Sequence, residues 1–85
     1  MAEEFEPFFT KEFENSLKGI DKFTGEIIEK RIRKILANPF NSKPLLGEAF
    51  RFSERFLHYR LIYKIEGNKV IFQKVGKRDS VYREY

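Results

Sequence analysis

The spacing of apolar residues changes once along this chain, and that change limits the folds it can adopt. Between Phe23 and Leu36 apolar residues recur every three or four positions, which is the period of an amphipathic helix. After Gly47 they recur at every second position, which is the period of a strand with one apolar face. Helices and strands in separate parts of one chain predict an α+β fold.

A strand and two helices are predicted before the change in period. Aromatic residues concentrate at positions 5–9 and predict a short strand, after which Thr10 is placed to cap the first helix. That helix is predicted to end at Gly19. The second helix runs from Phe23 and ends at Asn38, where the following proline stops it. The two helices are expected to form a hairpin.

Three further strands are predicted after the helices. The first begins at Phe50, the second covers residues 59–65, and the third covers residues 70–76. Residues 66–69 supply the Gly and Asn that a tight hairpin turn needs. The predicted order is β-α-α-β-β-β in a single domain over residues 1–85, with the helical hairpin packed on one face of a mainly antiparallel sheet and a short C-terminal segment.

Charge and residue usage limit the classes of function that are possible for this chain. The chain has 17 Lys and Arg against 13 Asp and Glu, and residues 43–85 hold 10 of the basic residues but only 5 of the acidic ones. A basic surface favours polyanionic partners such as nucleic acid. The absence of Cys and the single His exclude disulfides, Cys-ligated metal sites and His-rich metal clusters. We therefore expect no metal and no other cofactor.

The sequence also bears on location. No apolar stretch approaches the roughly 20 residues that a membrane-spanning helix needs. The first residues are acidic, where a signal peptide is basic. We therefore expect a cytoplasmic protein that does not contact a membrane.

Arginines are predicted to gather on the sheet face that the helices leave open. Arg51 and Arg55 share one parity of the strand that begins near residue 50, and Arg60 lies within the next strand. Pairing about a turn at residues 56–57 would bring Arg51 within two residues of Arg60. Arg78 follows the last strand. Guanidinium groups match phosphate oxygens, so these arginines together would clamp a phosphodiester and stabilise charge developing on it.

Each candidate also has a simpler interpretation. A strand with Arg on one face is often only a solvated face, and a lone residue such as His58 at a strand start is often exposed polar surface. The basic face of the second helix, at residues 30–34, is interpreted as solvated and paired with Glu26 and Glu29 at salt-bridge spacing. Convergence of arginines from three elements favours a phosphate site over a solvated face.

Several short motifs, in this order and spacing, resemble the RelE/ParE toxin superfamily across essentially the whole chain. Besides the helical hairpin, the motifs are Asn38-Pro39, Lys43-Pro44-Leu45-Leu46-Gly47, Tyr59-Arg60-Leu61-Ile62-Tyr63, and Val75-Gly76-Lys77-Arg78 followed by Val81-Tyr82. The resemblance is strongest to the RelE branch, and within it to archaeal RelE. It implies the superfamily's microbial ribonuclease-type fold and a toxin that enters the ribosomal A site, cleaves the mRNA codon there and arrests translation.

The resemblance also implies roles for individual residues. Arg60 and Arg78 match the phosphate-stabilising arginines of the family, and Tyr82 matches its C-terminal catalytic tyrosine. Arg51 matches a position that is usually Lys, whereas Ser53 stands where the bacterial pattern has a second Lys. The catalytic set is thus Arg51, Arg60, Arg78 and Tyr82. The remaining basic residues near these positions are assigned to RNA binding: Lys43, Arg55, His58, Lys74 and Lys77.

The implied chemistry is attack of an RNA 2′-hydroxyl on the adjacent phosphorus without a metal ion. The implied partners are a RelB-like antitoxin, which would assemble with the toxin as a heterotetramer, together with the ribosome and mRNA. Two alternatives stay open. One is a ParE-type gyrase poison, which has the same fold and cleaves no RNA, and the other is a basic nucleic-acid-binding module without catalysis.

Overall fold

The predicted element order is confirmed, with one additional strand. The computed structural model describes residues 4–41, 43–44 and 50–77. Its elements are β1 (Glu6–Phe9), α1 (Lys11–Ser16), α2 (Lys22–Ala37), a 3-10 turn (Pro39–Asn41), β2 (Lys43–Pro44), β3 (Arg51–Phe56), β4 (Tyr59–Glu66) and β5 (Lys69–Lys77). The additional strand, β2, lies in a segment predicted to be a loop; it has only two residues, too few to show an alternating pattern.

The strands form one mixed sheet. Their order across the sheet is β1-β5-β4-β3-β2, and only β1 and β5 run parallel. The other neighbouring pairs are antiparallel, as predicted for a mainly antiparallel sheet. The α+β fold is therefore confirmed.

Both helices begin at residues whose side chains satisfy backbone N–H groups. The Thr10 side-chain oxygen accepts a hydrogen bond from the Phe13 N–H at 3.0 Å, which confirms Thr10 as the N-cap of α1. Asp21 caps α2 by accepting from the Thr24 N–H at 3.2 Å. Hydrogen bonds from Thr24 lower the pKa of the Asp21 carboxyl below its ordinary value. Neither helix in the described part of the chain is long and apolar enough to cross a membrane.

The hydrophobic core lies between the helices and one face of the sheet. It contains Phe13 from α1, Ile28 and Ile35 from α2, and the sheet residues Phe52, Phe56, Leu61, Tyr63, Ile65, Val70, Phe72 and Val75. Burial of each such apolar side chain contributes about 1.5 to 3 kcal/mol before conformational entropy is counted. The alternation in β3, β4 and β5 thus supplies one face that must be covered.

Phe23 does not belong to this core, although the sequence placed it in the apolar stripe of α2. Its side chain is 67% exposed. The buried positions in α2 are Thr24, Ile28 and Ile35, and Phe23 lies about 100° around the helix from Thr24. The helix therefore buries the small threonine in its first turn and leaves the aromatic ring in solvent.

Among the described residues, one charged side chain is buried on the helix-facing side of the sheet. The Glu54 carboxylate accepts a hydrogen bond from Arg31 at 2.8 Å and lies 3.5 Å from the Lys34 ammonium. The basic face of α2 is thus only partly solvated, and the sequence interpretation is corrected there. Lys30 and Arg33 follow it, since both are exposed and Arg33 forms an ion pair with Glu29 at 2.8 Å. Because a buried carboxylate needs counter-charges, these contacts hold α2 against β3.

The register between β4 and β5 shifts by one residue. Ile62 pairs with Lys74 and Tyr63 pairs with Phe72, which makes Gln73 the additional residue of a β-bulge in β5. The Thr10 hydroxyl lies 3.2 Å from the carbonyl oxygens of both Phe72 and Gln73 and donates at this bulge. The start of α1 is therefore attached to the irregular part of β5.

The hydroxyl of Tyr63 provides a test of the packing. It donates a hydrogen bond of 2.7 Å to the Pro39 carbonyl oxygen, and both residues are buried. We expect Tyr63→Phe to lower the free energy of unfolding by about 1 to 3 kcal/mol, because the carbonyl loses this donor. Urea denaturation measures the change, with Tyr59→Phe on a half-buried ring as the control. Equal midpoints for the three proteins would show that this bond adds nothing to stability.

Candidate phosphate-binding site

The sheet face opposite the helices holds most of the residues that the sequence assigned to phosphate binding. Residues paired directly in an antiparallel ladder have their side chains on the same face. The pairs between β3 and β4 on this face are Arg51 with Lys64, Ser53 with Ile62, and Arg55 with Arg60. We call this surface, together with Gln73 and Lys74 of β5, the cationic face.

The centre of the cationic face is buried, although the sequence predicted that the whole face stays open. Ser53, Arg60 and Ile62 are each no more than 6% exposed. Arg55 is exposed, and Arg51 is half-buried. We call the exposed and half-buried residues around these three, among them Arg51 and Arg55, the rim of the cationic face.

Arg51 and Arg60 are not close neighbours in the ladder, and the predicted pairing is wrong at this point. The turn consists of Leu57, in the left-handed region with φ +50°, and His58. Arg55 therefore pairs with Arg60, and Arg51 pairs with a residue four positions further along β4. The sequence placed the turn one residue too early because a leucine gives no signal for positive φ.

Arg60 is the most deeply placed cation of this face. Its Nη1 donates a hydrogen bond of 3.1 Å to the Ser53 hydroxyl oxygen, and both side chains are buried. Its direct cross-strand neighbour is Arg55, so two positive charges lie side by side. A buried guanidinium in such surroundings is costly to the fold. Ser53, where a lysine would have supplied a further charge, instead supplies a neutral acceptor.

Arg51 is held by a residue that the sequence analysis missed. Its Nε donates a hydrogen bond of 2.9 Å to the Oε1 of Gln73, the additional residue of the β5 bulge. A signal was present, because Gln73 and Lys74 are two consecutive polar residues that interrupt the alternation of β5.

The structure places three of the residues assigned to RNA binding near this face. Lys74 pairs with Ile62 and so has the parity of the cationic face, but its Nζ lies 3.8 Å from the carboxylate of Glu12 in α1. Arg55 is exposed on the rim. His58 is exposed in the β3–β4 turn, at the end of the sheet next to Arg55.

The other two lysines assigned to RNA binding, Lys43 and Lys77, are at other positions in the sheet. Lys43 stands opposite Ser53 in the pairing of β2 with β3. Lys77 pairs with Tyr59, whose ring packs against the core, so Lys77 has the parity of the helix-facing side and not that of Arg60. The register thus separates Lys77 from the cationic face.

Arg78 and Tyr82 lie outside the described residues, and their assigned roles stay predictions. Among the described residues, no three His, Cys, Asp or Glu side chains come together as metal ligands. What the described residues do offer is guanidinium donors from Arg51, Arg55 and Arg60 on one surface. Such donors suit the non-bridging oxygens of a phosphodiester.

Stability offers a test of whether Arg60 serves the fold. Methionine has a similar length without the charge, so Arg60→Met removes a cation from beside Arg55. We expect the free energy of unfolding to stay the same or to rise by up to about 2 kcal/mol. Arg33→Met, on the exposed face of α2, is the control with the same change in charge. A fall of more than about 1 kcal/mol specific to Arg60→Met would identify it as a stabilising residue instead.

Comparison with protein families identifies a match over most of the chain. The family model of the ParE toxin of the type II toxin–antitoxin system parDE matches residues 8–82. No curated protein sequence is significantly similar to this chain.

Solved structures of toxins share the fold. The RelB–RelE antitoxin–toxin complex from Methanococcus jannaschii matches with a TM-score of 0.74 and 24% identity, over 92% of this chain and 98% of that one. The RelBE2 toxin–antitoxin complex from Mycobacterium tuberculosis matches with a TM-score of 0.75 and 26% identity, over 88% and 99%. A mutant of the E. coli toxin RelE in the free state matches with a TM-score of 0.82 and 20% identity, over 95% and 93%.

The family match and the structural matches agree with the sequence resemblance. The family model spans nearly the whole chain, and each structural match covers most of both chains. The chain therefore belongs to the ParE toxin family of type II toxin–antitoxin systems, within the RelE/ParE superfamily.

Proposed function

We propose that this toxin is a metal-independent endoribonuclease that cleaves mRNA in the ribosomal A site. The observation that carries the proposal is the buried guanidinium of Arg60, bound to Ser53 and placed beside Arg55. A charge in this position is costly to the fold, so its presence indicates a function. A phosphodiester is the anion that fits a surface of guanidinium groups.

The proposed reaction is a transfer within the RNA backbone. The 2′ oxygen of a nucleotide attacks the adjacent phosphorus, the bond from phosphorus to the 5′ oxygen breaks, and a cyclic phosphate and a 5′ hydroxyl result. Arg60 and Arg51 stabilise the negative charge that grows on the non-bridging oxygens. Arg78 is proposed as a further phosphate contact, and Tyr82 as the group that transfers a proton from the 2′-hydroxyl or to the 5′ oxygen.

The remaining basic residues are proposed to bind the RNA backbone on either side of the cut. Lys74 and Arg55 lie on the cationic face or its rim, and His58 lies at the adjacent turn. Lys43 and Lys77 complete this set, although Lys77 lies on the other parity of β5 and would have to meet the RNA at the end of the sheet. Contacts of this kind position the substrate and carry no sequence preference of their own.

We also propose an antitoxin partner. Two of the matching solved structures are complexes of a RelE toxin with its RelB antitoxin. A RelB-like protein, assembled with this toxin as a heterotetramer, would keep it from the ribosome. The proposed place of action is the cytoplasm, where ribosome and mRNA meet.

The second candidate is a gyrase poison, which the match to the ParE toxin family model favours. Two assays separate the candidates: cleavage of mRNA in a translation extract, and supercoiling of DNA by gyrase. We expect the purified toxin to cut mRNA at codons occupying the ribosomal A site and to leave gyrase supercoiling unchanged. If the toxin inhibits supercoiling and leaves mRNA uncut, the ParE-type function is supported. If it does neither, the remaining candidate is a nucleic-acid-binding module without catalysis.

Substitution of Arg60 tests the assignment within the same assay. We expect Arg60→Met to lower the single-turnover cleavage rate by at least about 100-fold, because a donor to the transition-state charge is lost. Arg33→Met removes an equal charge from the exposed side of α2 and is expected to cleave like the wild type. Equal loss in both variants would indicate that overall charge, and not the position of Arg60, determines cleavage.

The proposed chemistry also determines the product ends. We expect a 5′ hydroxyl that polynucleotide kinase labels directly, a cyclic phosphate on the other fragment, and cleavage that EDTA does not reduce while ribosomes stay intact. The reason is that the RNA supplies its own nucleophile and guanidinium groups supply the positive charge. A 5′ phosphate at the cut, or EDTA-sensitive cleavage on intact ribosomes, would contradict this mechanism.

A further inference from the structure

The bulge in β5 places Gln73 between the levels of Arg51 and Arg60 along the strand direction of the cationic face. Arg51 pairs with Lys64, four positions from Arg60 along β4, a separation of about 13 Å between the two backbone positions. Gln73 lies opposite the step from Ile62 to Tyr63. Measured along β4, Gln73 therefore lies closer to the level of Arg60 than Arg51 does.

The hydrogen bond to Gln73 gives the Arg51 side chain a direction. The bond runs from β3 to β5 across β4, and its length is 2.9 Å. Because the acceptor lies between the levels of Lys64 and Arg60, the bond draws the Arg51 side chain along the sheet toward Arg60.

The chemical nature of the acceptor is also informative. In this bond Gln73 offers Arg51 an amide oxygen. An amide oxygen orients a guanidinium and adds no negative charge of its own, unlike the carboxylate that Glu54 presents to Arg31. The contact uses Nε and leaves the two Nη atoms out of this bond. Paired Nη atoms are one of the edges with which arginine binds phosphate.

We propose that Gln73 is a positioning residue that directs Arg51 toward the phosphate bound at Arg60. It acts through Arg51 and does not itself contact the RNA. The inference rests on the proposed function for its substrate, but the placement of Arg51 by Gln73 is a property of the toxin alone. The two are therefore tested by separate measurements.

Two substitutions separate orientation from charge in the cleavage assay. Gln73→Met keeps the length and removes the acceptor, and we expect the maximal single-turnover rate to fall about tenfold with a smaller change in the half-saturating toxin concentration. Gln73→Glu keeps the acceptor and cancels the Arg51 charge, so the rate is also expected to fall. Asn68→Asp, an equal change in charge at the β4–β5 turn, is expected to cleave like the wild type.

A measurement without RNA tests the positioning directly. In NMR spectra of the isolated toxin, the Arg51 Nε–H signal, assigned by its loss in Arg51→Lys, should exchange with water about tenfold faster in Gln73→Met. In Gln73→Glu the signal should stay protected, while titration with inorganic phosphate should show weaker binding than in the wild type. Unfolding midpoints establish that both variants are folded.

The outcomes distinguish the two proposals. Wild-type cleavage by both Gln73 variants would overturn the positioning role and leave the endoribonuclease proposal intact. Unchanged Nε–H exchange in Gln73→Met would overturn it as well. A wild-type toxin that cuts no ribosome-bound mRNA, but whose Arg51 signal and phosphate binding respond to Gln73 as described, would overturn the proposed function and support the positioning role.

Discussion

The pairing register of β3, β4 and β5 is the constraint on which the rest of this structure depends. Side chains alternate between faces, so a slip by one residue would move Arg60 into the core and Leu61 onto the cationic face. The register is held at one end by the turn at Leu57 and His58 and on the helix side by the apolar residues that α1 and α2 cover. Burial of one face therefore determines which charges meet on the other.

The buried carboxylate of the helix side and two arginines of the cationic face form hydrogen bonds with partners of different kinds. On the helix side, Glu54 is buried and balanced by Arg31 and Lys34, so opposite charges fasten α2 to β3. On the cationic face, Arg60 and Arg51 meet the neutral oxygens of a serine and a glutamine. Neutral partners orient a guanidinium and keep its attraction for an anion, whereas a carboxylate would cancel much of it. The first arrangement suits stability and the second suits binding.

The sequence predicted the larger features of the fold because they depend on period and on caps. Thr10 and the alternation around Arg60 were sufficient to place α1 and the paired strands, and the distribution of arginines was sufficient to suggest a phosphate site. Features set by tertiary contacts were not predictable in this way. The exposure of Phe23, for example, follows from how α2 is rotated against the sheet, which the periodicity alone did not determine.

The errors at the site have a common physical origin. A turn that begins at Leu57, one residue later than predicted, moves the pairing of β3 with β4 by two residues, and the bulge at Gln73 moves the pairing of β4 with β5 by one. Neither residue type is a sequence signal for such a position. One residue was enough to separate Arg51 from Arg60 in the ladder and to bring Gln73 to Arg51. Residue types thus identified the chemistry, and the irregular positions determined its geometry.

The ion pairs of the helix side also affect the cationic face, because Glu54 and the residues next to Arg60 lie in the same strand, β3. Glu54, fixed by Arg31 of α2, lies in the chain between Ser53, which binds Arg60, and Arg55, which pairs with it. Alternation sends Glu54 to one face and its two neighbours to the other. A displacement of α2 that pulled on Glu54 would therefore move both residues that surround Arg60. Because one fold can serve different functions, the function of a member of this superfamily has to be argued from its site, and in this protein contacts on both faces of β3 position the arginines of that site.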